Sequence, residues 1–224
     1  MIPTIASLQL PTTDGTKVTL ELVSAIPIDS RELADAELRR NPLYSKLPED
    51  RKEWYIEQSL MLGMEAADRQ LEHGTDILEL VKENGIKLVR RSECTAGQQS
   101  ALRSEIEYRE EGSTIIVYMD SIRSLYANAS EFAPPGIALQ ADEVFKMHIA
   151  HEFYHYLEFA SGKTTSQRLP KAEIAWIGKL KRHIELSETC EIAAQAFAKR
   201  FCGLKVLPTY YDLLLIKTRG MNSL

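Results

Sequence analysis

The stretch that decides this chain's fold is His151-Glu152-Phe153-Tyr154-His155, which lies within residues 142–159. The run has many apolar residues and no glycine or proline between Ile137 and Ser161, so it predicts one continuous helix. On a helix, positions i and i+4 lie on nearly the same face. We therefore expect the two histidines to project side by side.

Two imidazoles on one helix face can hold one tetrahedral metal ion, and a glutamate beside the first can move a proton of water. The spacing predicts His151 and His155 as metal ligands and Glu152 as the general base. The structural alternative is a pair of core histidines bonded to neighbours, with the glutamate at a solvated edge.

Composition sets the class of protein. The chain has 224 residues, 44% of them hydrophobic and 26% charged, which fits one globular domain with or without an appendage. Its net charge of −5 (27 − 32) does not favour direct binding to nucleic acid or to an anionic membrane. The sequence shows no apolar run long enough for a bilayer span and no secretory signal before Lys17. With three widely spaced cysteines, these features predict a cytoplasmic protein with reduced thiols.

The pattern divides the chain into two parts. Residues 1–47 are predicted to form a β-like or irregular appendage, with a strand at residues 17–23 and a short helix between Asp29 and Asn41. Residues 48–224 are predicted to form one α+β domain, mostly helical, with a small sheet of three or more strands.

Within this domain, periodicity predicts the individual elements. Strands are expected at residues 86–90 and in a hairpin of residues 101–109 and 113–119, and residues 161–169 form a polar connector. Strand 113–119, if it lies at a sheet edge, is expected to pair with an extended substrate. Helices are predicted at residues 48–74, 77–83, 120–126, 142–159, 171–184, 188–202 and 210–217.

A catalytic zinc site needs one more protein ligand, since such sites use three. Glu158 lies on the motif helix and cannot easily turn back to the metal, so a ligand from a crossing helix is sterically simpler. Glu191 is favoured, because small residues on its helix would let it approach the motif helix closely; these are Ala193, Ala194, Ala196 and Ala198. Glu188, one turn earlier, stays open as the ligand or as a group that orients a histidine. The remaining candidates are Glu173, Glu185 and His183.

The run Glu191-Ile192-Ala193-Ala194-Gln195-Ala196-Phe197-Ala198 resembles the Glu-x-x-Ala-Asp/Asn-x-Phe-Ala helix that supplies the third zinc ligand in many glutamate-type zincins. The order of elements over residues 48–208 resembles the ImmA/IrrE family of small bacterial metallopeptidases. This resemblance implies a zincin-like fold in which His151, His155 and Glu191 bind Zn²⁺ and Glu152 is the general base. The chain departs from the family at Phe153-Tyr154, where Leu-Gly is usual, and at Gln195.

The expected function is that of a zinc-dependent endopeptidase acting on a protein or peptide. The resemblance adds a transcriptional regulator as a substrate class. The alternatives are a zincin-like binding module that keeps the metal without turnover, and a structural protein with a fortuitous motif. The sequence does not rank the candidates for stabilising the oxyanion, which are Tyr154, His148, His183, Tyr210 and Tyr211.

Overall fold

The computed structural model describes residues 26–74, 76–92, 102–177 and 180–221. The strand predicted at residues 17–23 lies outside this range. The helices are α1 (Ser30–Leu38), α2 (Glu49–Leu71), α3 (Ile77–Glu83), α4 (Met119–Phe132), α5 (Ala141–Ser161), α6 (Thr165–Arg168), α7 (Glu188–Cys202) and α8 (Thr209–Met221). The strands are β1 (Lys87–Arg91), β2 (Ser104–Arg109), β3 (Gly112–Tyr118), β4 (Ala172–Ile177) and β5 (Leu180–Ile184).

The main sheet is small and mixed. Its strand order is β1-β3-β2, with β3 parallel to β1 and antiparallel to β2. Strands β4 and β5 pair separately as an antiparallel hairpin. The chain is therefore an α+β protein, mostly helical, with a three-stranded sheet, as the sequence predicts.

Strand β3 occupies the centre of the sheet, and its Ile115, Ile116 and Val117 are buried. A central strand has neighbours on both sides, so it cannot pair with a substrate. The pairing of strand 113–119 with an extended substrate, which requires an edge position, is therefore excluded. In the described part of the sheet, β2 is the edge strand next to α5.

Three helices form the core that carries the motif. Helix α7 lies between α2 and α5. Gly63 of α2 faces Ala193 so closely that a Cβ atom there would stand 2.1 Å from the Ala193 carbonyl oxygen. On the side of α5, Phe197 packs against Phe153 and Tyr154 at ring-centroid distances of 6.2 and 5.6 Å. Helix α7 thus packs against both neighbours, through small residues on the side of α2 and through Phe197 on the side of α5.

The residues before position 48 also contribute to this core. Asp29 caps α1 through Arg31 and Glu32, and Leu33 and Leu38 are fully buried. Helix α1 is tied to α7 by a hydrogen bond from Lys199 to the Ser30 hydroxyl. Residues 26–47 therefore share the core of the following domain, while the rest of the predicted appendage lies outside the described residues.

The largest error of secondary-structure prediction concerns residues 171–184, which form the β4–β5 hairpin and not a helix. Ala172 and Ile174 are buried and Glu173 between them is exposed, which is the period-two pattern of a strand. Cross-strand ion pairs, such as Lys181 to Glu173 at 2.6 Å, support the pairing. The predicted connector at residues 161–169 contains the single turn α6, and the helix predicted at 120–126 extends to Phe132.

No helix in the described ranges combines the length and the apolar character that a bilayer span requires.

Candidate metal centre

Helix α5 holds both motif histidines on one continuous face. Its first turn is closed by a capping box between Gln140 and Glu143, and its last turn ends at Gly162 with φ of 70°. Most of its other side chains, including Phe153, are buried. Because the helix is capped at both ends and packed on several sides, its histidines have little freedom to move apart.

The histidines converge with a carboxylate from α7. The Nε2 atoms of His151 and His155 are 3.2 Å apart. The two carboxylate oxygens of Glu191 lie 3.2 Å from the His151 Nε2 and 3.4 Å from the His155 Nε2. In the described part of the chain, these three residues are the group whose donor atoms could hold one metal ion, with all three atoms within 4.8 Å of one another.

Glu158 supports this cluster from behind. Its Oε2 atom lies 3.1 Å from His155 Nδ1, on the far side of the ring from Glu191. Its Oε1 atom accepts a hydrogen bond from the backbone N–H of Thr165. A carboxylate on Nδ1 favours the tautomer in which Nε2 carries the lone pair, and it orients the ring. Glu158 is therefore a positioning group and not one of the converging ligands.

The electrostatics of the cluster follow from these contacts. Burial acts to lower the pKa of His155, but its bonds to Glu158 and Glu191 outweigh burial and raise that pKa to about 10. Desolvation acts to raise the pKa of Glu191, but the two histidines hold it well below its usual range. The cluster thus stays ionised as a histidine–carboxylate group, and a cation can replace the shared protons.

Glu152 lies beside the cluster and is held by the neighbouring strand. The Ser104 hydroxyl of β2 donates a hydrogen bond to Glu152 Oε1 at 2.8 Å, and the Glu152 side chain is buried. This bond leaves Oε2 as the carboxylate oxygen that can accept a proton from water. The position of the predicted general base is therefore compatible with that role.

The cluster opens into a cleft of about 420 Å³. Its walls come from the turn after α1, from β2 and the segment that leads into it, from α5, and from the α7–α8 region. Besides the four predicted site residues, Arg40, Arg103, Ser104, Glu105, His148, Gln195 and Asp212 line this space. A larger cavity of about 540 Å³ lies between α1 and α2 and does not include the predicted site residues.

The other ligand candidates lie elsewhere. Glu188 Oε2 accepts a hydrogen bond from the Asn41 side chain at 2.8 Å, so it is turned toward α1. Glu173 and His183 pair with each other across the exposed hairpin at 3.7 Å, and Glu185 pairs with Lys171. Of the two carboxylates left open on α7, the structure brings Glu191 to the histidines.

Four of the five candidates for stabilising the oxyanion do not line the cleft. The Tyr154 hydroxyl bonds with Thr165, the Tyr211 hydroxyl donates to the Ile137 carbonyl, and Tyr210 is buried. His183 lies on the hairpin. His148 alone lines the cleft, and burial together with the positive charge of Arg103 holds its pKa well below the usual range. Its surroundings therefore favour the neutral imidazole.

Sequence reasoning missed the contributions of β2. Ser104 bonds Glu152, and Tyr108 stacks on Phe159 at 4.1 Å, one turn beyond His155. Burial and the charges of Glu152 and Glu158 raise the pKa of Tyr108 to about 12. Residues 104 and 108 share a face because strand side chains alternate. That alternation is readable in the sequence, but the helix that the face contacts is not.

The donor set agrees with zinc. Two imidazole nitrogens and one carboxylate oxygen, with room for a fourth ligand in the cleft, match the set that catalytic zinc sites use. The carboxylate on His155 Nδ1 is a frequent partner of a zinc-bound imidazole. The residues present therefore fit Zn²⁺.

Known proteins add no further evidence to this geometry. The chain matches no protein-family model, no curated protein and no solved structure.

Proposed function

We propose that the chain is a zinc-dependent endopeptidase of the His-Glu-x-x-His…Glu type, with His151, His155 and Glu191 as metal ligands and Glu152 as the general base. The observation that carries the proposal is the convergence of the three donor atoms beside a buried glutamate in an open cleft. A cluster that served only to hold the fold together would need neither the cleft nor a base.

Zinc, when bound, supplies Lewis acidity that polarises the scissile carbonyl and lowers the pKa of water. Glu152 accepts a proton as water adds to the carbonyl carbon, and returns it to the amide nitrogen as the C–N bond breaks. Ser104 holds one Glu152 oxygen by hydrogen bonding, which keeps the other directed at the cleft. The reaction consumes one water and leaves a new carboxylate and a new amine.

The edge strand supports an extended substrate. Residues 104–106 of β2 line the cleft, and the strand borders the described sheet on that side. An edge strand presents backbone N–H and C=O groups with which an extended peptide can pair. The resemblance to the ImmA/IrrE family supports a protein substrate, with a transcriptional regulator as one class. A cytoplasmic location belongs to the same proposal and rests on the sequence.

Metal content is the first test. We expect about one zinc per wild-type chain by mass spectrometry, and a sharp loss in Glu191→Ala. Glu188→Ala is the matched control, because Glu188 lies one turn away on the same helix and bonds Asn41. Zinc that remains in Glu191→Ala but disappears in Glu188→Ala would reverse the assignment. A wild-type protein that takes up no zinc would refute it.

Glu152→Gln then separates catalysis from binding. Gln keeps an oxygen that can accept the Ser104 bond but cannot act as a base, so we expect full zinc content and loss of peptide cleavage by a factor of about 10²–10⁴. Cleavage is read by mass spectrometry on a peptide library. A wild-type protein that holds zinc, binds a protein partner and cleaves nothing would favour the binding-module alternative.

A further inference from the structure

One end of the cleft has a distinct chemistry. His148 lies one turn before His151 on α5. Gln195 lies one turn after Glu191 on α7. Both residues line the cleft, together with Arg40, Arg103 and Asp212. We name this group of five residues the polar end of the cleft.

One ring nitrogen of His148 is buried without a hydrogen bond among the described residues. This nitrogen is Nε2, and the side chain that carries it is 7% exposed. A buried polar atom left without a partner costs about 1–3 kcal/mol, so such atoms are rare unless a ligand or water meets them. His148 lines the cleft, so a turn of its ring on binding would present this buried nitrogen to a molecule there.

The other polar groups around His148 can donate hydrogen bonds, so they favour a ligand that accepts them. The buried Arg103 guanidinium donates to Asp212 at 2.6 Å, and Arg40 at the rim donates to Glu37 at 3.0 Å. Both carboxylates are thus engaged, and guanidinium groups are donors only. Gln195 accepts the backbone N–H of Thr209 through Oε1, so its NH₂ group is the part that can donate to a ligand.

We propose that the polar end is a specificity subsite that binds a side-chain carbonyl or carboxylate oxygen of the substrate, as in Asp, Asn, Glu or Gln, with His148 Nε2 as one hydrogen-bond donor. The subsite rests on the proposed function, since it assumes a peptide beside Glu152. The matching apolar side chain would leave the His148 nitrogen without a partner, which is the strong form of discrimination.

Binding of three hydroxamates to the zinc-loaded protein tests the subsite. The probes differ only in the side chain, which is carboxyethyl, carbamoylethyl or isobutyl. By calorimetry, we expect both oxygen-bearing probes to bind about tenfold or more tightly than the isobutyl probe. The first two probes tell a carboxylate preference from a carboxamide preference. Equal binding of all three, or tighter binding of the isobutyl probe, overturns the subsite.

Variants test whether residues of the polar end cause the tighter binding of the oxygen-bearing probes. His148→Leu should reduce this preference to within about twofold, because leucine has no ring nitrogen that the oxygen-bearing probes can bond or that the isobutyl probe leaves unpaired. His183→Leu, on the exposed hairpin, is the matched histidine control and should keep the preference in full. Arg40→Met removes a charge from a side chain that is 61% exposed; because it also leaves the buried Glu37 without this partner, urea unfolding is measured beside binding. Arg40→Met should weaken binding of the carboxyethyl probe and leave binding of the carbamoylethyl probe unchanged. Equal binding of the carboxyethyl probe by the variant and the wild type would show that Arg40 is not part of the subsite.

A metal-free measurement separates this idea from the proposed function. The chain has 5 histidines, so the Nε2 resonance of His148 can be followed in protein labelled with ¹⁵N-histidine. Glutarate and glutaramide should shift that resonance in a saturable way in metal-free protein, and isobutylammonium, which has no acceptor oxygen, should not. If the protein takes up no zinc, the peptidase proposal fails, and this shift alone decides the subsite: its absence overturns it.

Discussion

At the scale of single residues, Glu158 is a side chain outside the ligand set that holds one of the ligands. It bonds His155 Nδ1 on one side and the Thr165 backbone on the other, and it is 5% exposed. Burial acts to raise its pKa, but the bonds from His155 and Thr165 lower it overall. The charged carboxylate is therefore the form that holds the imidazole.

Glu158→Gln should lower zinc affinity by about 10–100-fold, because an amide is a weaker acceptor for the imidazole N–H. Competition with a chelator measures this affinity. Glu173→Gln is the control, since Glu173 also stands beside a histidine but on the exposed hairpin. If Glu158→Gln binds zinc as tightly as wild type, Glu158 does not tune the site.

His148 predicts a pH dependence of stability. Its pKa is lowered in the folded state, so near and below the ordinary value of 6.5 the unfolded chain binds a proton that the folded chain does not. Stability contributed by neutral His148 is thus present above that value and is lost as pH falls, by up to about 1.4 kcal/mol per pH unit.

His148→Leu should remove this slope, because leucine does not titrate. Urea unfolding of metal-free protein at about pH 7 and about pH 5 measures the difference, with His183→Leu as the control on the exposed hairpin. The wild-type and His183→Leu proteins should lose more stability than His148→Leu between the two values. Equal losses in all three proteins would show that His148 is protonated in the folded state.

At the scale of elements, the contact between α2 and α7 positions Glu191. Because Gly63 has no side chain, the two helices approach very closely. A Cβ atom at position 63 would lie 2.1 Å from the Ala193 carbonyl oxygen and 2.9 Å from the Ala196 Cβ. Alanine in place of a helical glycine gains about 1 kcal/mol of helix propensity. Here that gain is smaller than the cost of the clash, since a Cβ atom at 2.1 Å from a backbone oxygen forces the helices apart.

Gly63→Ala should therefore destabilise the protein by about 1–3 kcal/mol, measured by urea unfolding. Gly74→Ala is the matched control, because a Cβ atom there would meet Leu80 at an ordinary 3.8 Å. We expect the control to unfold within about 0.5 kcal/mol of wild type. A Gly63→Ala protein as stable as the control would mean that α7 shifts without cost.

At the scale of the whole molecule, the ligand set joins two helices that are far apart in the chain. His151 and His155 come from α5, and Glu191 comes from α7 after the β4–β5 hairpin. An ion that binds only the folded chain raises the free energy of unfolding according to its concentration and affinity. The metal should thus stabilise the tertiary arrangement of α5 and α7.

Zinc at about 100 times its dissociation constant should add about 2.7 kcal/mol to the free energy of unfolding, and a chelator should remove that increment. Glu188→Ala should keep it, and Glu191→Ala should lose most of it. Urea unfolding with and without zinc gives the comparison. An increment of the same size in Glu191→Ala would place the stabilising ion at another site.

The sequence by itself determined the features that depend on local spacing. Helical periodicity was enough to place His151 and His155 on one face, because i and i+4 are neighbours in any α-helix. The α+β class and the helix that carries Glu191 also followed from local patterns. The hairpin at residues 171–184 did not, since its short apolar run fits either period and pairing decides between them.

Only the tertiary structure decided which groups meet. Glu188 and Glu191 are one turn apart and chemically identical, yet Asn41 of a distant segment engages the first and two histidines engage the second. The order of the strands made β2, and not β3, the edge beside the cleft. These outcomes depend on contacts between residues far apart in sequence, which no local pattern encodes.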